Sequence, residues 1–254
     1  MSVGRPPFEA GKLAHPHLLR QIFMRYVFAP PPAVSAPVVG VAERFPVHRI
    51  YCVGSNYLAH AQEMGRTGRE PPVFFMKPAD ALLPVEAGAT GSMPYPSLTH
   101  NLHHEVELVV AIGAGGRDID AAQALEHVFG YAVGLDMTRR DLQSEMKKRS
   151  APWCIGKGFD HAAPLGPITP SARAGAISAA EIALRVNGAE RQRSAVSQMI
   201  WSVPEIIAHL SRAWTLASGD LIFTGTPAGV GAVERGDLME ATCTGLETLR
   251  VRVS

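Results

Sequence analysis

Apolar positions along this chain cluster in short runs closed by Gly, Pro or Asp. They are RIYCVG (49–54), PVFFMKP (72–78), EVELVVAIG (105–113), YAVGLD (131–136), EIALRVNG (181–188), DLIFTG (220–225), DLMEATCTG (237–245) and TLRVRV (248–253). Runs of this length, rich in β-branched and aromatic residues and bounded by breakers, predict strands. Helical spacing appears in fewer places: after Asn56, in AAQALEHV, in RDLQSEMKK and in SVPEIIAHLSRAW. In the last of these Ser202 and Glu205 fit a capping box, and Ile206, Ile207, Leu210 and Trp214 form the stripe to be buried. Strands outnumber helices without a regular βα rhythm, which predicts a β-rich α+β fold and not a doubly wound sheet. The segment APPPAVSAP reads as extended chain, because proline fixes φ and removes a donor. Residues 1–46 are therefore expected to be an N-terminal extension with a Pro-rich lead-in, and residues 47–254 one main domain.

Composition narrows the partners. The 254 residues carry a formal net charge of +1, with no Lys/Arg-rich run, so there is no electrostatic footprint for nucleic acid or an anionic membrane. A small-molecule partner is the expectation. Cys52, Cys154 and Cys243 are scattered and odd in number, which suits neither a disulfide framework nor a zinc knuckle and fits a reducing compartment. HLLRQIFMRYVF is broken by Arg20 and Arg25, unlike the apolar core of a signal peptide, so a cytoplasmic location is expected. Met24 opens MRYVFAPPP, and a start there would leave residues 1–23 as an extension without catalytic value.

The chemistry begins in NLHHEVELVV (101–110). On a strand, Glu105 and Glu107 point to the same face with Cα atoms roughly 6.5 Å apart. If that face is inward, two like charges need water, protons or a cation to compensate them. Asp136 closes YAVGLD, where a strand end can present a carboxylate to a cleft. Three carboxylates would suit Mg²⁺ or Mn²⁺ and not a soft metal. The same spacing fits the solvated face of an edge strand equally well. His100, His103 and His104 precede the pair, but no HExxH or Cys/His spacing supports zinc.

In SNYLAHAQEMG, a helix beginning after Asn56 would place His60 and Glu63 on one face, so that the carboxylate orients the imidazole as a base for water. An exposed surface pair would look the same. Lys157, in WCIGKGFD, could stabilise a developing enolate or simply be a solvated side chain with a buried stem. TGTPAGVG (224–231) lacks the GK[ST] ending of a P-loop and reads as a tight loop bringing Thr226 and backbone amides near an anion.

Taken in series, G-S-N-Y with H-A-Q-E-M, FFMKP, NLHHEVEL, GLDMTRRDLQ, PWCIGKGFD, MIWSVPEIIAHLS and GDLIFTGTPAGVG resemble the fumarylacetoacetate hydrolase family, nearest its fumarylpyruvate hydrolase and acylpyruvase branch. The resemblance implies a mixed β-sandwich roll, a homodimer, and a catalytic domain over residues 47–254. It implies Mg²⁺ or Mn²⁺ on Glu105, Glu107 and Asp136, a water-activating dyad of His60 and Glu63, and Lys157 as an electrostatic clamp. It also implies substrate contacts at Gln143 and Thr226, while Arg140 and Lys147 lie near that match and are left out of the site.

The implied reaction is cleavage of the C–C bond of a 2,4-dioxo acid, with fumarylpyruvate giving fumarate and pyruvate in gentisate catabolism. Decarboxylation of a 2-oxo acid such as oxaloacetate, or isomerisation or dehydration at the same site, is the nearest rival. A non-catalytic small-molecule-binding β protein is the rival of another class. Many relatives read G-R-N-Y where this chain has Ser55, which removes a planar partner for a carboxylate.

Overall fold

Every residue of the run Val106–Ile112 is buried, so it must be covered on both faces, which is why it reads as a continuous apolar stretch instead of an alternating one. The computed structural model describes residues 26–58 and 68–254. Within it this run is the centre of an eight-stranded mixed sheet. From one edge the order is β4 (Val73–Lys77), β3 (Ile50–Gly54), β15 (Leu221–Phe223), β8 (Val106–Ile112), β9 (Val128–Leu135), β11 (Ala163–Leu165) and β5 (Leu82–Pro84), with β12 (Thr169–Pro170) also paired to β9. The pairs β3/β15 and β5/β11 are parallel, and the others in the path are antiparallel.

Alternate side chains of β8 enter different cores. Leu108, Val110 and Ile112 join a large cluster with Tyr51, Ile222 and Val133. Val109 and Ala111 join a second with Cys52, Phe223 and Leu165. Glu107 shares the face of Val109 and Ala111, by the period of two along a strand.

A second sheet of five strands runs β14 (Ala189–Ala195), β13 (Glu181–Val186), β17 (Leu238–Cys243), β18 (Leu249–Val253) and β6 (Thr90–Met93). A three-stranded sheet of β10 (Thr138–Arg139), β7 (Leu102–His104) and β16 (Gly231–Val233) lies at the end of β8, and β1 (Ser35–Ala36) pairs with β2 (Phe45–Pro46). Residues 33–254 form one unit.

All eight expected strands are present, and the β-rich α+β class holds. Helix α1 (Arg140–Lys148) and helix α3 (Val203–Ala213) form where the spacing predicts, the latter with its Ser202/Glu205 capping box. AAQALEHV is a correction: it makes only a 3₁₀ turn, Ala124–His127. Val128 already pairs with Ile112 in the sheet, so the chain reaches extended geometry before a second helical turn can form. The one-turn helix α2 (Cys154–Lys157) carries no sequence signal, being too short for a period. The helix expected after Asn56 falls mainly on residues 59–67, outside those described.

Candidate active site

The register of β8 on β9 assembles the acidic group. Val106 faces Leu135 and Glu107 faces Gly134, and one step further the Asp136 N–H donates to the Glu105 carbonyl at 2.9 Å. Glu105, Glu107 and Asp136 are 5%, 2% and 1% exposed. That overturns the solvated edge-strand alternative: β8 is flanked on both sides, by β15 and β9. One oxygen from each of the three carboxylates lies within 4.8 Å of the others, and among the described residues no other His/Cys/Asp/Glu group converges in this way.

Such a buried group needs compensation. Lys157, carried by α2, lies with its Nζ 2.6 Å from Asp136 Oδ2, 2.8 Å from Glu105 Oε2 and 2.7 Å from Thr138 Oγ1. Lys77, the last residue of β4, lies 2.8 Å from Asp136 Oδ1 and donates to the carbonyls of Lys157 at 2.5 Å and Met137 at 3.2 Å. Arg140, at the start of α1, donates to Glu105 Oε1 at 2.5 Å and to Gln143 Oε1 at 2.6 Å. Three cations thus contact two of the carboxylates, Glu105 and Asp136.

Glu107 stands apart from those cations and accepts the Gly225 N–H at 2.8 Å. Its carboxyl is held well above the usual range, first by burial and then by the charges of Asp136 and Glu105. Burial pulls Lys157 down, but the charges of Asp136 and Glu105 outweigh it, and its ammonium titrates above the ordinary lysine range.

The loop 224–231 is shaped by two glycines. Gly225 has φ +99°, and a Cβ there would stand 2.5 Å from Asn56 Cβ, so only glycine lets its amide reach Glu107. Gly229 has φ +95°, and a Cβ there would fall 2.0 Å from the Arg191 carbonyl oxygen. Asn56 fixes the neighbouring chain: its amide donates to the carbonyls of Trp201 and Thr224, and its oxygen accepts the Trp201 N–H.

A small cleft, with a cavity volume of about 20 Å³, opens over the carboxylates, and Ser55, Gln143, Lys147, Trp153, Lys157 and Thr226 share its lining with them. The residues expected at the site therefore converge, with the exception of His60 and Glu63, which lie outside the described residues. Ser55 adopts φ +58°. Arg140, left out on sequence grounds, lines the cleft too; its signal was its place four residues after Asp136, where a helix start turns it back toward the strand end. Lys77 had a signal as well, a lysine closing the apolar strand VFFMK. His103 and His104 do not join the acidic group. Burial, then the nearby Arg140 charge, lowers His103 to about 4.

All three groups are hard oxygen donors, and the one least compensated, Glu107, would gain most from a cation. The donor set therefore fits a hard divalent ion such as Mg²⁺ or Mn²⁺.

Comparison with known proteins identifies the family. Residues 49–254 match the model of the fumarylacetoacetate (FAA) hydrolase C-terminal family. The crystal structure of fumarylpyruvate hydrolase from Pseudomonas aeruginosa in complex with Mn²⁺ and pyruvate is 56% identical, with a TM-score of 0.88 over 90% of this chain and 99% of that one. A mitochondrial oxaloacetate tautomerase of Rattus norvegicus is 44% identical over 204 residues, 80% of this chain and 90% of the relative. A mitochondrial oxaloacetate decarboxylase of Dictyostelium discoideum is 42% identical over 200 residues, 79% of this chain and 90% of the relative. The chain belongs to the fumarylacetoacetate hydrolase family and has its mixed β-roll fold. Among the described residues no helix is long and apolar enough to cross a membrane.

Proposed function

We propose that this protein is a divalent-metal-dependent hydrolase that cleaves the C3–C4 bond of a 2,4-dioxo acid, with fumarylpyruvate as the preferred substrate and fumarate and pyruvate as products. The observation that carries this reading is the buried Glu105, Glu107 and Asp136 group with Lys157 bridging two of its members at the floor of the cleft. The 56% identity to the Pseudomonas aeruginosa enzyme supports it.

Held by Glu105, Glu107 and Asp136, Mg²⁺ or Mn²⁺ would supply Lewis-acid polarisation of the substrate's 2-oxo and carboxylate oxygens. The chain's own groups do the rest. Gln143 and Thr226 hold the substrate across the cleft. His60, oriented by Glu63, takes a proton from water as the water oxygen bonds to C4. When the tetrahedral centre collapses, the C3–C4 electron pair leaves with C3 and spreads onto the C2 oxygen as an enolate. Lys157, kept cationic by Asp136 and Glu105, stabilises that charge. The proton held by His60 is delivered to C3, so the water hydroxyl ends in fumarate and its hydrogen in pyruvate. The same reading makes the protein a cytoplasmic homodimer serving gentisate breakdown, which size-exclusion chromatography and growth of a deletion strain on gentisate would test.

The relatives acting on oxaloacetate support a second reading, tautomerisation or decarboxylation at the same site without the attacking water. The deciding assay incubates purified protein with fumarylpyruvate or oxaloacetate, with and without EDTA, following diketo absorbance, pyruvate and fumarate. Turnover of fumarylpyruvate that EDTA abolishes and Mn²⁺ restores supports hydrolysis. Loss of oxaloacetate alone, with no fumarate formed from fumarylpyruvate, selects the second reading.

A further inference from the structure

Gln192 is 1% exposed, the one buried residue of β14, and it belongs to the second sheet. A β-bulge aims it inward. Leu184 faces Gln192 while Arg185 faces Glu190, so Arg191 is the extra residue, and such bulges re-aim side chains next to active sites. The loop 224–231 presses on this bulge where Gly229 meets the Arg191 carbonyl.

The carboxamide is fully used. Its Nε2 donates to Thr226 Oγ1 at 2.8 Å and to the Pro227 carbonyl at 2.8 Å. Its Oε1 accepts from the Val106 N–H at 3.1 Å and lies 2.9 Å from His104 Nδ1. A carbonyl can only accept and a backbone N–H can only donate, so Pro227 and Val106 fix which end of the amide is which. It follows that His104 carries its proton on Nδ1. The Thr226 oxygen accepts from Gln192, and its own hydrogen goes to the Val106 carbonyl at 2.8 Å.

We propose that Gln192 is a positioning residue for this site: it ties the backbone between Glu105 and Glu107 to the Thr226–Pro227 loop and holds the Thr226 hydroxyl so that it offers the substrate an acceptor and never a donor. Thr226 is thereby matched to an O–H on the substrate, which a 2,4-dioxo acid has in the enol tautomer that binds before its C4 carbonyl is formed for attack, and which a carboxylate lacks. This assignment of Thr226's partner rests on the hydrolase reading above.

Gln192→Glu tests it, because the carboxylate keeps the shape and can still accept from Val106 and His104. It cannot donate to Pro227, and it draws the Thr226 hydrogen to itself. For fumarylpyruvate the expected result is a KM raised about tenfold or more with kcat within about threefold, as losing a group made for substrate binding predicts. The shift in melting temperature caused by Mn²⁺ is expected to persist. In a Thr226→Val background, Gln192→Glu is expected to add nothing, since both changes remove the same interaction. An unchanged KM in Gln192→Glu, or penalties that multiply in the double variant, would overturn the proposal.

Should Gln192→Glu fail to fold, ¹H–¹⁵N spectra of the wild-type histidines decide. The signal lost in His104→Gln must be an Nδ1–H imidazole, and an Nε2–H there overturns the assignment. Wild-type protein that hydrolyses no 2,4-dioxo acid would sink the hydrolase reading alone, while the imidazole signal still judges Gln192.

Discussion

The carboxylates of Glu105 and Asp136 share one ammonium: Lys157 Nζ stands 2.8 Å from Glu105 Oε2 and 2.6 Å from Asp136 Oδ2. The backbone repeats the link, since the Asp136 N–H donates to the Glu105 carbonyl. The two acids are thus placed by strand pairing and neutralised by a helix that follows later in the chain. Glu107, paired to Gly134 in the same ladder, is left to a backbone amide, and that asymmetry makes the group receptive to a cation.

Mg²⁺ or Mn²⁺ is expected to stabilise the folded protein by ~2.7 kcal/mol at a hundredfold excess over its dissociation constant. Glu107→Gln is expected to abolish both this gain and turnover. Thermal melts with EDTA and added metal measure it, and an equal stabilisation of Glu107→Gln would remove Glu107 from the ligand set.

Metal affinity is expected to fall as pH is lowered. Burial first, then Asp136 and Glu105, raises the Glu107 carboxyl, so it retains a proton at a pH where an ordinary glutamate has lost it. A binding ion must displace that proton. Calorimetry in two buffers of different ionisation enthalpy counts the protons released, and a count of zero from pH 5 to pH 8 contradicts the assignment.

Lys77→Met is expected to lose about 3–5 kcal/mol of stability, because it removes one of the two buried ammonium groups on Asp136 and the donor to the Lys157 and Met137 carbonyls. Urea denaturation in EDTA reads this directly. A loss below about 1 kcal/mol would mean that Lys157 alone suffices for Asp136.

His60→Ala is expected to keep its affinity for Mn²⁺ and to lose roughly 10²- to 10⁴-fold in hydrolysis of fumarylpyruvate. Near-normal hydrolysis in this variant would rule out the dyad with Glu63.

Glu205 gives a pH effect on stability away from the site. The Ser202 hydroxyl and N–H, donating to Glu205 Oε2 at 2.7 and 2.9 Å, lower its carboxyl from 4.5 to about 2, with Arg69 adding to the shift. A depressed carboxyl contributes stability that is complete above the unfolded value of 4.5 and is lost as pH falls toward 2. The melting-temperature advantage of the wild type over Glu205→Gln should therefore be greatest above pH 5 and shrink steadily below it. A difference independent of pH would dismiss the ionised capping box.

The sequence by itself determined the strands, the capped helix α3 and most of the acidic and polar residues that meet in the cleft. Short apolar runs, breakers and a capping box are local signals, and each is read within a dozen residues. Even the E-x-E pair carried its geometry, because strand alternation sets the faces of Glu105 and Glu107 wherever the strand lies. Only the tertiary structure decided that this face is buried, since β8 (Val106–Ile112) is flanked on one side by its chain neighbour β9 and on the other by β15 (Leu221–Phe223), which comes about a hundred residues later. Gln192 was hidden for the same reason, and the local signals at Arg140 and Lys77 did not name their partners. Each is an ordinary polar residue in sequence, and its meaning arises from partners brought in by register, by a one-turn helix and by a bulge. A hydrogen bond between residues 86 or 88 positions apart, as Gln192 makes to Val106 and His104, leaves no periodic trace, because it depends on how two sheets pack and not on how either chain segment folds.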